Sequence, residues 1–415
     1  MHQRSKALPI IQGRRQVNKK LKELVAESHK ENTVKAIKEM LDTSGLNLSD
    51  IGSIKKVAVT GRSVHDEDKG TEKQTTTYQV VLSPSFEGGP GALIERAQIQ
   101  EQIKRQKSKA KGGNPSGWET AVILPDIQIG YYDKSIDPNK VELEPIHDEK
   151  ALAVAMAVIR DIKPSKIIMN GDNLDFADFG KYLNRIPFRN MVQPAIDRAA
   201  ELCRELRRAA PFAEIIWLEG NHEARLHKYL DNFASPTSGV TRGKDKYSER
   251  DKFPVNSVPF LCRMEDFDVQ YLVGYPENAY FINSNLMVVH GHKVNSNGST
   301  AAKYLNDAHQ SLIYGHIHRI ETLYRTRRSP NGPRTVMASS PGCLCRTDGV
   351  VPSTNSGSDH FGRPIVKGSE NWQQGLAIVQ YQPFGVGNEW FNYEPMWIFN
   401  GRGILRGKEY TADKD

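Results

Sequence analysis

Residues 166–175 read Lys166-Ile167-Ile168-Met169-Asn170-Gly171-Asp172-Asn173-Leu174-Asp175. An apolar run of strand character breaks off into an amide, a glycine and two carboxylates. The same grammar recurs on either side of it. Pro125-Asp126-Ile127-Gln128 follows the apolar run 121–124, and Gly220-Asn221-His222-Glu223 follows 214–218. His290-Gly291-His292 follows 286–289, and Gly315-His316-Ile317-His318 follows 311–314. Side chains at the carboxyl ends of adjacent strands in an α/β sheet converge on one crevice. Asp, Asn and His donors gathered there can hold two divalent ions about 3.5–4 Å apart. A single dipeptide of this kind carries no information; five in order do.

The donor set narrows the ion. Hard cations prefer oxygen, whereas Mn, Fe, Co, Ni and Zn also accept imidazole. The mixed Asp/Asn/Gln/His set thus points to a transition metal or a mixed pair: Mn²⁺ first, with Fe, Zn, Ni or Mg²⁺ as alternatives. Asp172, just past its strand, is the natural carboxylate to bridge two ions. Water held between two cations loses a proton easily and becomes an in-line nucleophile towards phosphorus. His316 and His318 lie two apart, so a regular strand would project them to one face, and a turn at the strand end can splay them onto different ions.

Working outward, strand and helix alternate from Trp118: strands at 120–125, 166–170 and 214–218, each followed by a helix, at 148–162, 191–209 and 222–232. The stretch 235–265 is polar and broken by Gly and Pro, and reads as an insertion or lid. Strands 280–282 and 286–289 form a hairpin around Asn283-Ser284-Asn285, and a helix near 299–308 precedes strand 311–314. Later segments at 322–327, 334–339, 375–380 and 390–393 read as strands without long helices between them. Early βα units followed by β-rich sequence predict two packed mixed sheets flanked by helices, an α/β sandwich of four layers. This catalytic domain is assigned to 118–400, with a polar tail at 401–415.

Ahead of it lies a module of different charge. The chain carries a net charge of +7, and residues 1–118 account for it, with 21 Lys+Arg against 13 Asp+Glu. A basic excess confined to one end suggests an anionic partner there; a solvated basic arm is the alternative. Within it, 32–53 reads as two short helices about a Ser-Gly break, 55–60 and 75–82 as strands, and 94–111 as a helix with a basic end. Gly112-Gly113-Asn114-Pro115 marks the boundary, making 1–113 a small basic α+β module with its linker.

The 38% hydrophobic and 25% charged content is that of an ordinary globular protein. No run of about 18 apolar residues predicts a membrane helix, and the N-terminus lacks the apolar stretch of a secretory signal. Cys203, Cys262, Cys343 and Cys345 form neither a disulfide framework nor a CxxC pair, and read as buried reduced thiols of an intracellular, cytoplasmic protein.

These five segments resemble the calcineurin-like metallophosphoesterase superfamily, whose pattern is DxH, GDxxD, GNH(D/E), H and GHxH. The likeness covers roughly residues 119–345. It implies one metal site of Asp126, position 128, Asp172 and His318, and another of Asp172, Asn221, His290 and His316. It also implies that His222, beside Asn221, protonates the leaving oxygen or stabilises charge in the transition state. Gln128 departs from the pattern, which has His there; an amide oxygen is a neutral, harder and weaker ligand. Arg225 is placed to clamp a phosphate, or to pair with Glu223 or Asp231. His292 is a candidate to hold a ligand in place, Glu223 is a further candidate to support the ligands or the substrate, and Asp175 matches the second acidic position and orients the loop or a ligand.

The superfamily contains protein phosphatases, nucleotide phosphodiesterases and nucleases. Protein phosphatases carry Arg directly after the second acidic residue, where this chain has Phe176. With a basic module in front, as in bacteriophage-encoded members that it also resembles, the expected activity is that of a phosphodiesterase or nuclease acting on DNA or another nucleic acid. Hydrolysis of a small phosphodiester or cyclic nucleotide is the alternative, and a nucleic-acid-binding protein with a vestigial phosphoesterase domain the third reading. Oligomeric state is not legible.

Overall fold

A computed structural model describes the backbone of residues 51–66 and 71–84, and residues 117–412 with breaks at 136, 138, 181–184, 247–248, 296–298, 329–331, 355–356, 367–369 and 386–388. The helix pair expected at 32–53, apart from its last residues, and the helix and boundary expected at 94–115 lie outside the described residues. The chain divides into two compact units, Met1–Gln98 and Ile99–Asp415. In the first, β1 (Ile51–Asp66) and β2 (Thr71–Pro84) form an antiparallel hairpin with Asp66 opposite Thr71, both strands longer than their apolar patches indicate.

The second unit is built on two sheets. The larger orders its eight strands β17-β16-β15-β14-β3-β6-β7-β8. Here β3 (Glu119–Leu124), β6 (Lys166–Met169), β7 (Glu214–Leu218) and β8 (Val269–Leu272) run parallel. Beyond β3 are appended β14 (Gln374–Tyr381), β15 (Phe391–Phe399), β16 (Arg402–Leu405) and β17 (Lys408–Thr411), each antiparallel to its neighbour. The smaller sheet orders β12-β13-β11-β10-β9. Its β10 (Leu286–Val289) and β11 (Ser311–Tyr314) are parallel, as are β11 and β13 (Arg334–Pro341), while β9 (Tyr280–Asn283) and β12 (Ile320–Arg327) close its edges antiparallel.

Three cores set the layer order. Val122, Ile167, Ile215 and Ile378 face α1 (Glu149–Ile162) and α2 (Val192–Ala209), whose Val154, Val158, Ala199 and Leu202 fill one apolar layer. The alternate residues Ile123, Ile168, Ile216 and Val379 turn to the other side and meet Ile282, Val288, Ile313 and Met337 of the smaller sheet. Beyond that sheet, Leu312, Tyr314 and Ala338 pack on Ala301, Tyr304 and Leu305 of α5 (Thr300–Asp307). Because β3, β6 and β7 are apolar on both faces, they read as continuous runs, as strands buried from both sides do. The helix, sheet, sheet, helix order is the expected four-layer sandwich.

Two expectations need correction. The stretch 235–265 serves as a connection to β8 through the short α4 (Val258–Leu261), and Val258, Cys262 and Met264 bury in the helix-side core. The polar tail at 401–415 instead continues the large sheet as β16 and β17, burying Gly403, Leu405 and Tyr410. Its alternating residues are too short a pattern to outweigh their Arg, Lys and Glu neighbours. All four cysteines are buried, and none forms a disulfide. Among the described residues, no helix is long and apolar enough to cross a membrane.

Candidate metal centre

All five segments lie at carboxyl ends of parallel strands, but of two sheets rather than one. Asp126 and Gln128 follow β3, Asp172 follows β6, and Asn221 precedes α3 (Glu223–Phe233) after β7; His290 follows β10, and His316 and His318 follow β11. The loops are laced together. Gln128 N–H donates to Asp172 O (2.9 Å), Ile129 N–H to Asn173 O (2.7 Å) and Gly315 N–H to His290 O (2.9 Å). The Asn170 amide, oriented to satisfy both neighbours, ties the sheets by donating to Val289 O (2.9 Å) and accepting from Gly315 N–H (3.1 Å).

Backbone conformation turns the donors inward. Asp126, Gln128, Asp172, His316 and His318 all adopt left-handed φ, between 43° and 71°. Non-glycine residues seldom do so, and such residues collect at functional sites. Splayed in this way, His316 and His318 reach different partners despite their spacing. The motif glycines make room: a Cβ at Gly220 would collide with Asp172, and one at Gly315 with the Asp126 carboxylate.

Two clusters result. In one, Asp172, His290 and His316 offer ligand atoms within 4.8 Å of one another. His290 Nε2 lies 3.2 Å from Asp172 Oδ2 and 3.1 Å from Asn221 Oδ1. In the other, His318 Nε2 lies 3.2 Å from Asp126 Oδ1 and 3.5 Å from Gln128 Nε2. His316 joins them, its backbone N–H donating to Asp126 Oδ1 (2.9 Å). Asp126, Gln128 and His290 are fully buried, while Asn221 and His316 are partly open to solvent.

The residues fit cations. His290 Nδ1–H donates to the Asn170 carbonyl (2.8 Å), which leaves the Nε2 lone pair aimed at two oxygen acceptors. Gln128 Oε1 and His316 Nδ1 are buried without a hydrogen-bond partner, an expensive arrangement unless something electropositive sits beside each. Titration tells the same story. Burial disfavours charge on His290, yet Asp172 outweighs it and pushes His290 up to about 10: the oxygens around Nε2 favour positive charge there. Burial and the neighbouring His290 push His316 down to about 4. Burial opposes the charge on Asp172, but His222 and His290 hold its carboxyl well below the usual range.

His222 stands at the rim of the first cluster, Nε2 3.6 Å from Asp172 Oδ2. Its Nδ1–H donates to Asp175 O (2.6 Å), and its own backbone N–H donates to Asp172 Oδ1 (2.8 Å). Burial works against its charge, but Asp172 and Asp175 raise its pKa. Arg225 donates to Asp175 O (2.8 Å) and to His222 Nε2 (2.9 Å); neither Glu223 nor Asp231 accepts from it.

Glu223, one of the residues expected to support the ligands or the substrate, does so through backbone groups, a contact the sequence did not reveal. Its buried carboxylate accepts from the backbone N–H groups of Asp172, Asn173, Leu174 and Gly220 and from Trp217 Nε1, at 2.7–3.3 Å. It therefore shapes the Asp172 loop from beneath. Burial and the Asp172 charge push its carboxyl up to about 7, against the pull of those donors. An acid in the first turn of a helix was the only available signal. His292 is exposed, and its backbone N–H rather than its ring is engaged, donating to Tyr304 Oη (3.0 Å). Tyr131 and Tyr132 pack edgewise on His147 and obliquely on Phe188.

The family model for calcineurin-like phosphoesterases matches residues 123–378. The chain belongs to this family. As a calcineurin-like phosphoesterase it is a hydrolase of phosphoric esters that depends on divalent metal, and the matched span runs from β3 to β14, across every segment of the centre. No curated protein matches the chain.

Proposed function

We propose that this phosphoesterase is a phosphodiesterase of nucleic acid, holding two divalent ions, with Mn²⁺ the preferred pair. The observation that carries the reading is the joint geometry of two donor clusters sharing His316 as neighbour, with His222 at their rim. Asp126, Gln128, His318 and Asp172 would hold one ion, and Asp172, Asn221, His290 and His316 the other. Such ions supply Lewis-acid polarisation of phosphoryl oxygens and activation of water.

The chain's own residues do the rest. Once Arg225 turns from His222 Nε2 to a phosphate oxygen, that nitrogen would be free to carry a proton to the leaving oxygen, with Nδ1–H anchored on Asp175 O and the ring's basicity maintained by two carboxylates. Arg225 offers a planar guanidinium to a phosphate oxygen beside it. A recess next to Arg225, lined by Asp175, Arg185, Phe188, Val350 and Thr354, is suited to one arm of a diester. The basic excess before residue 118 supports a polyanionic substrate. The same recess favours a second reading, a small phosphodiester or cyclic nucleotide, because it is partly apolar and of limited extent.

With Mn²⁺, bis-p-nitrophenyl phosphate and labelled DNA should both be cleaved and p-nitrophenyl phosphate only slowly. DNA binding should weaken with salt with a log–log slope of about −0.9 per neutralised phosphate. Cleavage of cyclic nucleotides with no salt-dependent DNA binding would establish the second reading instead.

A further inference from the structure

Behind His318, on the side away from Asp126, lie two thiols with no part in the hydrolytic centre. Cys343 and Cys345 are fully buried and free. Together with His318 they offer three ligand atoms within 4.8 Å of one another. We propose that Cys343, Cys345 and His318 form a separate site for a thiophilic divalent ion of the zinc class.

The backbone prepares this site. Cys343 bridges to Gln374 and Cys345 to His147, with a bend at Leu344 between them. The bend leaves both thiols on the His318 side, while Leu344 turns into the helix-side core. The loop cannot drift: Cys343 N–H donates to Gln373 O (3.1 Å), Leu344 N–H to Pro125 O (3.0 Å), and Gln374 Nε2 to Cys345 O (2.8 Å). Each ring nitrogen of His318 has its own direction, Nε2 towards Asp126 and Nδ1 towards Cys345 Sγ at 4.0 Å. Trp372 packs edge-on against the ring (centroids 4.1 Å apart) and fixes that orientation.

No disulfide joins these two thiols. Two thiolates and an imidazole match three of the four tetrahedral positions of zinc, with Zn–S about 2.3 Å and Zn–N about 2.0–2.1 Å. The fourth falls to a solvent oxygen or to Gln373 O, 3.6 Å from Cys343 Sγ. On binding, both thiol protons leave to solvent, and with the hydrolytic ion also bound the ring proton of His318 leaves as well, so that His318 would bridge the two sites as an imidazolate.

The test uses the full chain, stripped by chelator and titrated with Co²⁺. A near-ultraviolet sulfur-to-cobalt charge-transfer band should grow to one equivalent. It should vanish in Cys343→Ser/Cys345→Ser, with total metal bound falling by one equivalent, and persist in Cys203→Ser/Cys262→Ser. Should the double variant not fold, the wild-type protein loaded with ¹¹³Cd²⁺ decides alone: a resonance in the sulfur-ligated range supports the site. Saturation with Co²⁺ or Cd²⁺ that yields only oxygen and nitrogen signatures overturns it. Neither readout involves hydrolysis, so failure here and failure of the phosphodiesterase reading are separable.

Discussion

The two donor clusters of the centre rest on different supports. Around Asp172, backbone groups hold the donors: Asn170 O fixes the His290 tautomer, His222 N–H holds the Asp172 carboxylate, and Glu223 gathers the N–H groups of the loop. Around Asp126, the His316 N–H also holds the carboxylate, but the remaining supports are softer. A thiol and an indole back His318, and Gln128 brings an amide whose oxygen has no partner. Supporting groups set both the orientation and the basicity of a metal ligand. On the proposed two-ion reading, the first site would be held tightly, and the second would bind more weakly with a different preference of ion.

The largest test removes what the clusters share. Asp172→Asn keeps the shape but not the charge, and should lower metal affinity by more than about 100-fold, beyond the 10–100-fold typical of supporting residues, with turnover lost. Metal content after dialysis and diester hydrolysis measure the two together. His222→Ala should reduce kcat by about 10²–10⁴-fold while both ions stay bound; metal loss in this variant would make His222 a ligand. Glu223→Gln places an amide donor against the N–H groups of the Asp172 loop, and should weaken metal binding by about 10–100-fold. If calorimetry shows only Asp126-side binding affected, the contrast between the clusters is inverted. Smallest is Gln128→His, which should tighten the Asp126 side by about tenfold and move its preference towards Zn²⁺ or Fe, since imidazole replaces an amide. Unchanged calorimetric affinity would mean that Gln128 does not face the ion.

All five ligand segments were legible because each is a local signal, an apolar run ending in a donor. The two-sheet architecture was legible from the loss of helices after β11. What escaped was long-range. Glu223 meets the Asp172 loop from 49–51 residues away, and nothing in Gly220-Asn221-His222-Glu223 says whether its carboxylate turns outward to Arg225 or inward to backbone. The Asn170 strut depends on partners in another sheet, and the thiols behind His318 on a loop that follows β13. His292 was misread because its neighbour His290 is a donor, though the next residue but one faces solvent. The hairpin of β16 and β17 was missed because burial of Leu405 and Tyr410 comes from the sheet they join.

Left-handed φ at the five donor positions narrows the alphabet twice over. Asp, Asn and His are the residues other than glycine that best tolerate that conformation, and they are also metal ligands. Four of the five positions hold Asp or His; Gln128 alone stands outside the tolerant set. A glutamine codon becomes a histidine codon by one third-base change. The mutational neighbourhood of this gene thus holds, a single step away, a variant whose 128th residue both relaxes its own backbone and grips the ion harder. Position 128 is where a drifting population would first exchange one metal preference for another.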